Sequence, residues 1–72
     1  MSFKKGDLIK WYETYADIFV IKDCGMGVII DITTIDYFAE PYYSFKVFRT
    51  EKNDFMIFER HNLEEIKEKQ VQ

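Results

Sequence analysis

The 72-residue chain is poor in the residues that staple, break or ligate: one cysteine, one proline, one histidine and three glycines. Each scarcity excludes something. A lone thiol, Cys24, forms no intrachain disulfide, and the usage fits a reducing, intracellular setting. One histidine and one cysteine cannot furnish a Cys/His zinc site. No apolar run approaches the roughly 20 residues of a membrane span. The first residues, Met1-Ser2-Phe3-Lys4-Lys5-Gly6, hold no apolar core of signal-peptide length. A cytoplasmic protein with no membrane contact is therefore expected. The net charge of −3, with acids and bases mixed along the chain, offers no broad basic face for a phosphate backbone. Gly25 and Gly27 do not begin a dinucleotide fingerprint. Ile30 stands where its third glycine belongs, and the pair opens a strand rather than a helix.

What the chain has instead is aromatic mass: seven Phe, five Tyr and one Trp. A chain this short forms one domain, which buries only about 60% of its unfolded surface. Large rings offset that by burying much area each.

The chain is organised around Gly25-Met26-Gly27-Val28-Ile29-Ile30-Asp31-Ile32. Asp23-Cys24-Gly25 reads as a turn, and the two glycines serve turn or bulge geometry or close backbone approach. Val28, Ile30 and Ile32, the expected buried face, then alternate with Ile29, Asp31 and Thr33, the partly wet one, in the period of two of a strand. Upstream, Leu8-Ile9-Lys10-Trp11-Tyr12 reads as the first strand. Leu8, Lys10 and Tyr12 share one face; Ile9 and Trp11 share the other, with Trp11 in the core. Ile18 to Lys22 fits either a separate strand or an arm of a long first loop. Pro41 interrupts after Tyr37, because proline cannot sit inside a central strand. Tyr42 to Thr50 alternates most clearly, with Tyr43, Phe45 and Val47 on one face. Glu51-Lys52-Asn53-Asp54 reads as a hairpin loop, and Phe55-Met56-Ile57-Phe58 as the return strand. From Asn62 on, a capping pattern with Glu65 argues for helix; a tight turn at Arg60-His61-Asn62 followed by strand Leu63-Glu64-Glu65-Ile66 competes.

Short strands at close spacing with little helix predict an all-β fold, and the length suits a strongly bent five-stranded barrel whose closure removes the sheet edges. Gly6-Asp7-Leu8-Ile9-Lys10-Trp11 resembles the opening strand of SH3-like barrels. The succession that follows, Gly27 to Ile32, Tyr43 to Phe48, a polar turn, Phe55 to Phe58 and Leu63 to Ile66, resembles the small SH3-like barrel proteins of tailed bacteriophages, especially marine cyanophages. The resemblance spans about Phe3 to Ile66. It implies a five-stranded SH3-like barrel with a long first loop holding Ile18 to Lys22. It also implies a last strand at Leu63 to Ile66, a short C-terminal tail, and residence in an infected bacterial cell. Its motifs are structural and leave function open.

Catalytic constellations are thin. His61 with Cys24 or Ser44 would be needed for a nucleophilic arrangement, and their spacing supports none. Asp31, Asp36 and Glu40 match no calcium loop. The reading is therefore non-enzymatic, without cofactor or metal. The surplus aromatics point to a protein-protein interaction or assembly module, with Tyr12, Tyr15, Phe19, Tyr37, Phe38 and Tyr42 as contributors. The partner would be a host or phage protein, or a second copy of the chain. The alternative is nucleic acid held by Lys4, Lys5, Lys10, Lys46 and Arg49 with neighbouring rings, provided those bases converge.

Overall fold

A computed structural model describes residues 3–17, 19–37 and 40–66, with the main chain alone at 36, 37 and 40. The fold is all-β. Strands β1 (Leu8–Thr14), β2 (Ile21–Tyr37), β3 (Glu40–Arg49), β4 (Asp54–Glu59) and β5 (Leu63–Glu65) form one antiparallel sheet in the order β4-β3-β2-β1-β5. A single 3₁₀ turn at Arg60–Asn62 joins β4 to β5, so the strand reading of Leu63 prevails over the helical one. Pairing of Ile9, Lys10 and Trp11 with Glu65, Glu64 and Leu63 overrides the local helical propensity.

The core is built on one face. Ile9, Trp11, Ile29 and Val47 are at most 1% exposed, and Phe3, Phe45, Phe58 and Leu63 complete the cluster. Trp11 stacks on Phe58 with ring centroids 5.7 Å apart, and its indole N–H donates to the Met26 carbonyl at 3.0 Å.

The glycines explain how that indole fits. A Cβ on Gly25 would stand 2.8 Å from the Trp11 ring, and one on Gly27 only 2.6 Å from Val47 Cγ1 and 2.7 Å from the Phe48 carbonyl oxygen. Close approach is thus the reason for both, and the turn expected at Asp23-Cys24-Gly25 is absent. β2 runs straight through those residues, paired with Glu13, Tyr12 and Trp11. The left-handed glycine is Gly6 (φ 92°), whose turn is tied by Gly6 N–H to the Ile29 carbonyl at 2.7 Å.

The expected inward face of β2, Val28-Ile30-Ile32, is also corrected. Gly27 and Ile29 point inward. A bulge then opposes Lys46 with Asp31 rather than Ile30, which returns Ile32 to the core side. One extra residue reverses the alternation.

Pro41 lies inside β3, paired with Asp36, instead of interrupting it. β4 pairs only with Ser44 to Arg49. Among the described residues Pro41 therefore sits where β3 has a neighbour on one side only, and a missing N–H is tolerated at such an edge. Of the undecided segment, Ile18 lies outside the described residues, Phe19 and Val20 form a hairpin tip, and Ile21 and Lys22 begin β2.

The sheet is curled but not closed. Four strand spacings separate β4 from β5, about 19 Å if flat. Yet Glu59 and Leu63 are four residue steps apart, a reach of at most about 14 Å. The sheet must bend to bring its ends that close. The expected loss of edges does not follow, because β5 is only three residues long and pairs with β1 alone, leaving β4 and β5 as edges among the described residues.

Candidate interaction surfaces

Strand alternation distributes the expected aromatics over different places. Tyr12 is half-buried on the outer face, its hydroxyl donating to Glu64 Oε1 at 2.8 Å, with Lys10 Nζ 5.4 Å from its ring centre. That hydrogen bond raises the Tyr12 pKa above its ordinary value. Tyr42 donates to Glu59 Oε1, which likewise raises its pKa, and the residue is 41% exposed. Tyr43 leans on Phe45. The Tyr37 side chain and Phe38 lie outside the described residues. Tyr15 and Phe19 cap the β1–β2 hairpin, at the start of β2, whereas Tyr42 pairs with Ile35 near its end. Tyr12, Tyr15 and Phe19 thus lie toward the start of the 17-residue β2, and Tyr42 toward its end.

The hairpin tip is the most exposed apolar feature. Its last paired residues are Thr14 and Ile21. Tyr15 N–H donates to the Val20 carbonyl at 3.1 Å, Val20 N–H to the Asp17 carbonyl at 3.0 Å, and Phe19 N–H to Asp17 Oδ1 at 3.0 Å. Asp17 thereby acts as a turn residue, through its side chain and its carbonyl. The closed tip presents Phe19 at 88% exposure, flanked by Tyr15, Val20 and Ile21 at 57, 47 and 55%.

A second apolar feature was missed in the sequence. Leu8 pairs with Val28, Val28 with Phe48, and Phe48 with Phe55, so four apolar side chains stand in one row across four strands. All lie on the outer face, and Ile57 adjoins them from the next row. The available signal was that β4 is apolar at four successive positions, and therefore on both faces.

The basic residues do not converge. Lys10 and Lys46 stand on the outer face with β2 between them, Lys46 over the Phe55 ring at 5.2 Å. Arg49 is on the inner face, half-buried over the Trp11 ring at 5.0 Å. It donates from Nε and Nη2 to Asp54 at 2.7 and 2.6 Å, with Glu13 3.9 Å away. Lys22 and Lys52 pair with Glu13 and Asp23 in the same network. Lys4 and Lys5 are exposed in the lead-in.

The residues weighed for catalysis are dispersed or exposed. Cys24 is exposed on β2 beside Tyr12, and Ser44 lies on β3 opposite Glu59. His61 Nδ1 lies 3.3 Å from Glu59 Oε2 in the exposed turn. Asp31 Oδ1 accepts the neighbouring Ile32 N–H at 3.0 Å, and the Asp36 and Glu40 side chains lie outside the described residues. Among the described residues no three His, Cys, Asp or Glu side chains form a group able to hold a metal ion. A cleft of about 450 Å³ between the lead-in and β5 is lined by Phe3, Asp7, Leu8 and Ile66. No helix among the described residues is long and apolar enough to cross a membrane. Comparison with protein-family models, with curated proteins and with solved structures found no match.

Proposed function

We propose that this chain is a small SH3-like barrel of the tailed-phage type that works without catalysis, as a protein interaction or assembly module in the infected cell's cytoplasm. The meander of four strands, the 3₁₀ turn and a fifth strand returning to β1 support the barrel reading. The β1–β2 tip carries the functional reading. Solvated loops are usually polar, and an exposed Phe-Val-Ile run with a neighbouring Tyr, fixed by Asp17, is an apolar anchor held ready for a partner's pocket. Nucleic acid is the weaker reading, since Arg49 is taken up by Asp54 and Trp11.

The test is capture of partners from a bacterial lysate by the tagged chain, with and without nuclease, beside a Tyr15→Ser/Phe19→Ser variant. The expected result is a stoichiometric protein that survives nuclease and is lost with the variant, whose thermal midpoint stays unchanged. Capture that the variant retains, or that nuclease abolishes, sinks the proposal.

A further inference from the structure

The two sheet edges are built differently. β5 is short and carries Glu64 and Glu65, two of the devices that discourage edge pairing. β4 runs six residues, with Phe55-Met56-Ile57-Phe58 uninterrupted. It contains no proline, lysine or bulge, and its register with β3 is unbroken from Arg49–Asp54 to Ser44–Glu59. Among the described residues nothing pairs with its other side. Alternate residues of an edge strand aim N–H and C=O groups outward, a template for a further strand. Phe55 and Ile57 are 58 and 57% exposed. Its free side borders a groove of about 220 Å³, lined by Met56, Ile57, Phe58 and Glu59 of β4 and, across from them, by Tyr12, Glu13 and Thr14 of β1.

We propose that β4 pairs antiparallel with β4 of a second copy, joining two five-stranded sheets across a twofold axis. The charges select that occupant. β4 opens on Asp54 and is followed by Arg60. An antiparallel register centred on Ile57 sets Asp54 opposite Arg60 of the second copy, and symmetry repeats the contact. The same register places Ile57 against Ile57 of the second copy and Phe55 diagonal to it, within one outer apolar patch. Asp54 and Arg60 both belong to the inner face, where Asp54 meets Arg49 and Arg60 lies over Phe3 at 4.6 Å. Parallel pairing would bring Asp54 to Asp54 and Glu59 to Glu59. This contact is independent of the hairpin tip.

Sedimentation equilibrium of the full chain up to about 1 mM tests it. A monomer–dimer equilibrium is expected. Ile57→Lys sets two ammonium groups together on the twofold and weakens dimerisation at least about tenfold. Phe55→Lys is the second variant should the first not fold. Phe19→Lys, at the tip, leaves the dimer intact, so failure of the tip reading does not touch this one. Slowed amide exchange in β4 at dimeric concentrations is the confirming observation. A wild-type chain that stays monomeric throughout overturns the proposal, as does a dimer indifferent to both β4 variants or lost with Phe19→Lys.

Discussion

The two faces of the sheet carry comparable side chains and meet different fates. Inside, Ile9, Trp11, Ile29 and Val47 are essentially removed from water. Outside, Leu8, Val28, Phe48 and Phe55 form an equally apolar row, yet Leu8 and Phe55 are more than half exposed. Apolarity therefore does not choose the inside here; room does. Gly25 and Gly27 clear space on one face for the largest side chain in the protein, and the β2 bulge sends Ile32 to the same side. Arg49 then covers the rim of that face, its guanidinium over the indole and its charge met by Asp54.

The comparison breaks first at Trp11. Trp11→Ala should cost about 3–5 kcal/mol, against a total of about 4–11 kcal/mol for a domain this size. A urea titration should show the midpoint reduced by roughly half or lost. Gly27→Ala comes next, at about 1–3 kcal/mol for overpacking. Its Cβ meets the Phe48 carbonyl, which is main chain and cannot swing aside. A neutral Gly27→Ala would mean that the glycine does not set the inner face.

Much of this was legible in the alternation of single strands. Ile9 and Trp11 against Leu8 and Lys10, and Phe45 and Val47 against Lys46, point as their spacing predicts. The loop before Phe55 was legible from its polarity, and Asn53 bears it out with φ 53° and an N–H bonded to the Arg49 carbonyl. What stayed hidden depends on neighbours. Glycine needed for close approach looks in sequence like glycine needed for a turn, so the sequence alone starts β2 at Gly25 rather than Ile21. A bulge is a property of a strand pair, so plain alternation turns Ile29 outward. Pro41 reads as an interruption until β4 is known to stop short of it. The tip residues Tyr15 and Phe19 were nameable as surplus aromatics. Leu8 and Phe55 were not, because their row exists only in the register.

The ion network sharpens the comparison through pH. The hydrogen bonds from Arg49 hold the Asp54 carboxyl below its ordinary value, and Lys52 does the same first of all for Asp23. A group depressed in the folded state contributes stability that is complete above its unfolded value, near pH 4, and is lost as pH falls through the folded one. The thermal midpoint should therefore drop as pH falls below about 4. Arg49→Gln should lower the midpoint at neutral pH and flatten part of that acid limb. An acid limb of unchanged depth in the variant would show that Asp54 draws its stabilisation from elsewhere.

The smallest effect is the most discriminating, because it compares adjacent residues of one strand. Ile9 is 1% exposed and Leu8 51%. Ile9→Thr places a hydroxyl in the core and removes buried carbon, costing on the order of 2 kcal/mol or more. Leu8→Thr makes a comparable chemical change on the outer row, keeps a β-prone residue, and should stay within about 0.5 kcal/mol. Chemical unfolding of both variants at micromolar concentration decides it. Should Leu8→Thr cost as much as Ile9→Thr, the outer row is packed in solution, and the room cleared by the glycines is not what separates the two faces. Should it cost nothing, the row is free surface held by register alone, available to whatever the module binds.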